Sequence, residues 1–142
     1  MDIHPLVIHY PIAFLTAYAI FELLRFRKLL DLPYWFYIKK ILIIVGWVGS
    51  LVAALSGLNA ASWTIQGPRL FVMHEIFALT TVVLSTTSAI FYMKNEQSKL
   101  LILLAIFILI SITITAGLGG AMVKGTNFDP FLAPIFKLLN VY

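Results

Sequence analysis

The chain contains three histidines, and all of them fall at one end of predicted membrane helices. His4 and His9 lie in the opening segment, and His74 lies near the start of the third apolar segment. Imidazoles are costly in the hydrocarbon of a bilayer, and those found there usually face a bundle interior and do chemistry. Two imidazoles on facing helices are what a six-coordinate haem iron needs. The histidines therefore predict a b-type haem site within a membrane.

The composition is that of an integral membrane protein. Of 142 residues, 61% are hydrophobic and 11% are charged, whereas a soluble domain has about 25% charged residues. Cysteine is absent, which excludes disulfides, thiolate ligation, iron–sulfur clusters and covalent c-type haem. The net charge of +4 does not indicate a nucleic-acid partner, because the basic residues cluster at the ends of apolar segments.

Four apolar segments are long enough to cross a bilayer, which takes about 20 residues. Their approximate bounds are 5–25, 38–61, 70–93 and 99–122. Short connections force neighbouring spans to run antiparallel. The sequence therefore predicts an all-α fold, an up-down-up-down four-helix transmembrane bundle that forms one haem-binding domain over residues 1–125.

Residues 126–142 form a separate tail. Asn127 and Asp129 resemble a helix cap, and Pro130 suits a first helical position. Apolar residues then recur at helical spacing, which predicts a short helix over about 130–140 that lies in the interface or folds over the mouth of the bundle. This helix is too short to span.

The basic residues predict the orientation in the membrane. Seven of the ten lysines and arginines lie in or beside the first and third connections, and only Arg69, Lys124 and Lys137 lie on the opposite side. Basic residues favour the cytoplasmic side. We therefore expect both termini and the three histidines at the outer face of the cell membrane.

The histidine spacing favours His9 and His74 as the two axial iron ligands. The first and third spans run in the same direction, and in such a bundle they are usually diagonal partners across the core. His4 and His9 would lie about 140° apart on a continuous helix, so they do not easily share one iron. His4 is expected instead to cap a helix, bond a haem propionate, bind a second cofactor or anchor the interface.

Three charged residues lie near these histidines. Arg69 and Lys124 are candidate partners of haem propionates, although topology and lipid headgroups explain them nearly as well. The simpler expectation for Glu75 is a solvated interface carboxylate; orienting an imidazole or moving protons is the alternative. At the inner end of the first span, Glu22 is expected to form a local ion pair near Arg25.

Small residues mark one stripe of the second span and one of the fourth. The stripes are expected to allow close helix packing, to admit a flat macrocycle, or both. They consist of Gly49, Ala53, Gly57 and Ala61, and of Thr113, Ala116, Gly117, Gly120 and Ala121.

The opening residues His4-Pro5-Leu6-Val7-Ile8-His9-Tyr10-Pro11-Ile12-Ala13 resemble the signature of a prokaryotic membrane family, domain of unknown function 2231. Its pattern is His-Pro-x-x-Val-His-Phe-Pro-Ile-Ala. The four spans, the histidine that opens the third and the Gly-x-Gly-Gly at 117–120 are also similar, so the resemblance covers about residues 1–125. It implies a small haem-b module of the prokaryotic cell membrane, joined in some members to a Rieske-type domain.

One difference from the family limits the number of haems. The family commonly has a further histidine before a glycine just after the Gly-Gly, whereas residues 121–126 of this chain contain none. Three histidines supply at most one bis-histidine site with one to spare. We therefore expect one haem b.

The favoured function is an electron-transfer cytochrome b subunit with a membrane or periplasmic partner, such as a Rieske-type protein or a cytochrome c. Whether a quinone binds is left open. The alternatives are a cofactor-free structural subunit of a larger membrane complex, and a haem- or copper-handling protein that uses His4, His9 and Met73, with Met122 if the fourth helix is adjacent. An enzyme acting alone is least expected, because no nucleophile–base pair or phosphate-binding loop is evident.

Overall fold

The computed structural model describes residues 4–126 and 130–141, except for the side chains of residues 4 and 5. All regular structure in these ranges is helical. Seven helices follow one another along the described chain: α1 (His4–Val7), α2 (His9–Leu23), α3 (Arg27–Leu30), α4 (Trp35–Ala60), α5 (Arg69–Met93), α6 (Leu100–Lys124) and α7 (Ala133–Leu138).

Three of these helices, α4, α5 and α6, are long and apolar enough to cross a membrane. They have 26, 25 and 25 residues, which at about 1.5 Å per residue gives lengths of about 38 Å. Their ends lie within three residues of those predicted for the second, third and fourth spans. In the described residues, these three helices meet the length and composition needed for a span.

The first predicted span is not one continuous helix. The short α1 ends at Val7, and α2 begins at His9. Pro11 explains the break, because it has no N–H to donate to the Val7 carbonyl and its ring collides with the carbonyl four residues earlier. The next bond, from Ile12 N to Ile8 O, is long at 3.4 Å. By itself α2 has 15 residues, fewer than the about 20 that a span needs.

The four longer helices pack around a common core. Both α2 and α5 pack against α4 and α6, so α2 and α5 lie opposite each other. The approach of α2 to α4 is close: a Cβ atom added at Gly46 would lie 2.6 Å from Leu15 Cδ2, and one added at Gly49 would lie 3.3 Å from Pro11 N. Small residues on α4 therefore bring the two helices together.

The tail packs on one end of the α5–α6 pair. Phe136 of α7 and Val141 are buried against Leu118 and Ala121 of α6. Of the two predicted arrangements, α7 thus folds against the helix ends instead of lying alone in the interface. The predicted cap at Asn127 and Asp129 lies outside the described residues. The prediction that Pro130 opens the helix is wrong, because α7 begins at Ala133 and the proline in its first turn is Pro134.

Candidate functional site

A cavity of about 600 Å³ brings His9 and His74 to one site. It lies between the four longer helices, at the end where α2 and α5 begin. Cofactor pockets in proteins usually measure about 300–1,000 Å³. Of the sixteen lining residues on α4, α5 and α6, seven are alanine or glycine: Ala53, Ala54, Gly57, Ala78, Ala116, Gly119 and Gly120.

His74 is buried and held in a defined orientation. Its side chain is 8% exposed, and its Nδ1 lies 3.0 Å from the Thr115 carbonyl oxygen on α6. A carbonyl oxygen only accepts hydrogen bonds, so Nδ1 carries the proton. A metal-binding histidine is typically oriented in this way, with one ring N–H donated to a carbonyl oxygen.

The backbone of α6 passes close to the same imidazole. A Cβ atom added at Gly119 would lie 3.2 Å from His74 Cε1. A larger side chain at this position would meet the ring or occupy the cavity. Gly119 therefore leaves the space that the His74 imidazole occupies.

His9 approaches the cavity from the opposite helix. It is the first residue of α2 and lines the cavity, although its side chain is exposed. His4 is the first residue of α1, but its side chain lies outside the described part of the structure. The two histidines predicted as ligands therefore share a site, while the role of His4 stays a prediction.

The two predicted propionate partners lie in different places. Lys124 lines the cavity at the end of α6. Arg69 is not among the lining residues, and its Nε donates a hydrogen bond of 2.8 Å to the Leu139 carbonyl oxygen. Arg69 thus connects the start of α5 to the tail.

Glu75 is buried and lines the cavity beside His74. Its side chain is only 5% exposed, so the expectation of a solvated interface carboxylate is wrong. Two successive residues of α5 can both face inward here, because α5 packs against both α4 and α6. A carboxylate therefore lies in the cavity with the imidazoles.

The methionines proposed for metal handling are also separated. Met73 packs against the buried cluster that contains Phe136 and Leu118, whereas Met122 lines the cavity. Among the described residues, no group of three or more histidine, cysteine, aspartate or glutamate side chains could hold a metal ion. A haem iron requires only two imidazoles from the protein.

The predicted small residues lie in two different environments, and their role in admitting a macrocycle stays a prediction. On α4, Gly49 lies against α2, whereas Ala53 and Gly57 line the cavity. On α6, Gly117 faces the tail, since a Cβ atom there would lie 2.3 Å from Leu132 Cδ1. Ala116 of the same helix lines the cavity.

Comparison with protein-family profiles gives one match, to the family described as "Predicted membrane protein (DUF2231)", over residues 1–128. The chain belongs to the DUF2231 family. The matched part contains all the cavity-lining residues and ends where the tail begins. As a DUF2231 protein with three apolar helices, it is a multi-pass membrane protein in contact with the lipid bilayer. No curated protein and no solved structure matches the chain.

Proposed function

We propose that this DUF2231 protein binds one haem b between His9 and His74 and transfers electrons as a subunit of a respiratory complex. The observation that carries the proposal is the single cavity lined by both imidazoles, which come from helices on opposite sides of the core. The bond from His74 Nδ1 to the Thr115 carbonyl supports it, because a metal-binding histidine is typically oriented by such a bond from its other ring nitrogen.

When bound, haem supplies one-electron redox chemistry, and the chain supplies its position and surroundings. The Thr115 carbonyl holds the His74 ring, and Gly119 gives that ring room. The small side chains admit a flat group, and the burial of His74 keeps water from its ring. Lys124 is the cation that would pair with a propionate carboxylate, while Arg69 holds the tail.

The proposed membrane arrangement is a four-helix bundle in which α1 and α2 together form the first span. Residues 4–23, at about 1.5 Å each, reach about 30 Å, the thickness of the hydrocarbon core. The distribution of lysine and arginine favours both termini on the outer side of a prokaryotic cell membrane. The redox partner is then a membrane or periplasmic protein, such as a Rieske-type protein or a cytochrome c, or a quinone.

A difference spectrum tests the proposal. Protein purified in detergent after expression with a haem supply should give a sharp low-spin b-type spectrum when reduced with dithionite. His9→Ala and His74→Ala should each abolish it, whereas His4→Ala is the matched control and should retain it. A colourless wild-type protein would overturn the proposal and favour the cofactor-free structural subunit.

A further inference from the structure

A second cavity lies at the opposite end of the helices. It measures about 430 Å³ and is lined from α2, the segment around α3, the start of α4 and the connection that leads into α6. None of its lining residues is shared with the histidine cavity. The proposed haem site therefore leaves this cavity without a function.

The charged side chains that line it have a positive excess. Three are cations, Arg25, Lys39 and Lys99, and one is the carboxylate of Glu22. Glu22 is already neutralised: its Oε2 lies 2.8 Å from Lys39 Nζ, and its Oε1 lies 3.8 Å from Arg25 Nη1. Tyr92 also donates a hydrogen bond to Oε2. The carboxylate is thus occupied within the protein, and two positive charges remain in excess.

Two long helices begin at this cavity. Trp35 and Phe36 open α4, and Ser98 and Lys99 directly precede α6; all four line the cavity. The first N–H groups of a helix have no partners within it and carry partial positive charge, so they attract anions. The N-cap residues of the two helices make no side-chain cap bond. At the start of α6, however, the Leu100 N–H already donates to Ser98 Oγ at 3.2 Å, and at the start of α4 the Trp35 N–H donates to the Leu32 carbonyl oxygen at 3.1 Å.

Trp35, which also lines this cavity, has within the described part of the chain a buried hydrogen-bond donor without an acceptor. Trp35 is 7% exposed and stacks on Phe21, with ring centroids 5.0 Å apart. Its Nε1 has no hydrogen-bond acceptor among the described residues. A buried polar group without a partner costs free energy, and an acceptor brought by a ligand would remove that cost.

We infer that this cavity binds the phosphate group of an anionic ligand, an inner-leaflet phospholipid or free phosphate. The positive excess of the lining side chains and the unpaired indole N–H of Trp35 favour an anion that accepts hydrogen bonds, and the start of α4 adds partial positive charge. Exposed apolar residues at the rim, Leu30 and Pro33 among them, would lie against acyl chains. This site is independent of haem binding at the other end.

The test uses the full chain in a nonionic detergent. Three probes are added separately: phosphatidylglycerol, phosphatidylcholine with the same acyl chains, and inorganic phosphate. Binding is followed by native mass spectrometry and by the shift in thermal unfolding. We expect phosphatidylglycerol to bind and phosphatidylcholine to bind at least about tenfold more weakly, since the zwitterionic headgroup cancels the charge that the site recognises.

Charge-removal variants decide whether the cavity is responsible. Arg25→Gln/Lys99→Gln should weaken phosphatidylglycerol binding at least about tenfold. The control Lys28→Gln/Lys94→Gln removes two exposed cations that do not line the cavity and should leave binding unchanged. Competition by free phosphate would identify the phosphate group as sufficient, and its failure to compete would assign the site to the whole lipid. Equal losses in both double variants, or no preference for phosphatidylglycerol, would overturn the inference.

Discussion

Two neighbouring lysines on α4 lie in opposite environments. Lys39 is 7% exposed and forms an ion pair of 2.8 Å with the buried Glu22. Lys40 instead donates a hydrogen bond of 2.9 Å to Asn95 Oδ1 at an exposed position. Removing one partner of a buried ion pair leaves the other charge buried without a counter-charge, which is destabilising. An exposed polar contact contributes little to the free energy of unfolding. The two lysines therefore allow a matched comparison of two adjacent positions.

Lys39→Met should destabilise the protein strongly, because it leaves the buried Glu22 carboxylate with only the half-exposed Arg25 guanidinium, 3.8 Å away, as a counter-charge. The expected loss in the free energy of unfolding is about 3 kcal/mol or more. Lys40→Met should change it by about 0.5 kcal/mol at most. Unfolding followed by circular dichroism in detergent measures both.

The double variant Glu22→Gln/Lys39→Met is the second arm of this experiment. It removes both charges, so it should recover most of the stability that Lys39→Met alone loses. Equal stabilities of Lys39→Met and Lys40→Met would show that Glu22 is not held as the structure shows.

For single residues, the sequence indicates which ones are unusual but predicts only some of their contacts. The histidines and Glu22 stand out because polar groups are rare in apolar segments. Arg25 was predictable as a partner of Glu22 because it is three residues away. Lys39 was not, because its contact depends on how α2 and α4 are rotated against each other. The same applies to Thr115, which is 41 residues from His74.

Helix α6 presents two glycines with different neighbours. Gly119 lies against the His74 ring, and Gly117 lies against Leu132 of the tail. Gly119→Leu should fill the cavity and displace the imidazole, and therefore lower haem content at least about tenfold in the purified protein, measured from pyridine haemochrome. Gly117→Ala meets only the end of a flexible side chain and should retain haem. Full haem content in Gly119→Leu would place the cofactor elsewhere.

Within α7, Phe136 is the buried residue. Phe136 is 2% exposed and Leu138 is 86% exposed. Phe136→Ala should release α7 locally, because removing a packed phenylalanine costs about 3–5 kcal/mol. Amide hydrogen exchange over residues 133–138 should become at least about tenfold faster, while exchange in α5 is unchanged. Leu138→Ala is the control, and the prediction fails if both variants exchange alike.

Among the elements, the long helices were the most predictable, because about 20 apolar residues between charged connections leave few alternatives. The break at Ile8 was the least predictable. Pro11 indicates that the helix could be interrupted nearby, but a proline can also occupy the first turn of a helix without interrupting it. Likewise, apolar spacing predicted α7, yet only the packing of Phe136 shows which surface it covers.

The orientation of the whole molecule can be tested cleanly because the chain has no cysteine. Thr64→Cys and Glu96→Cys each place one thiol at an exposed position, in the connections on opposite sides of the membrane. In right-side-out vesicles, an impermeant maleimide should label the cysteine at position 64 directly and the one at 96 only after permeabilisation. The reverse pattern would place both termini inside.

In the proposed arrangement, α1 and α2 together form the first span, and their described length closely matches the thickness of the bilayer. Residues 4–23 reach about 30 Å, whereas α4, α5 and α6 at about 38 Å can tilt to fit a thicker or thinner layer. In a thicker membrane the interruption at Ile8 would lie within the hydrocarbon. Pro11 has no N–H to donate to the Val7 carbonyl, and a carbonyl without a hydrogen bond is costly there. Hydrophobic mismatch should therefore act first on the end of the molecule that holds His9. Lipid chain length then becomes a means of adjusting how deeply that imidazole lies.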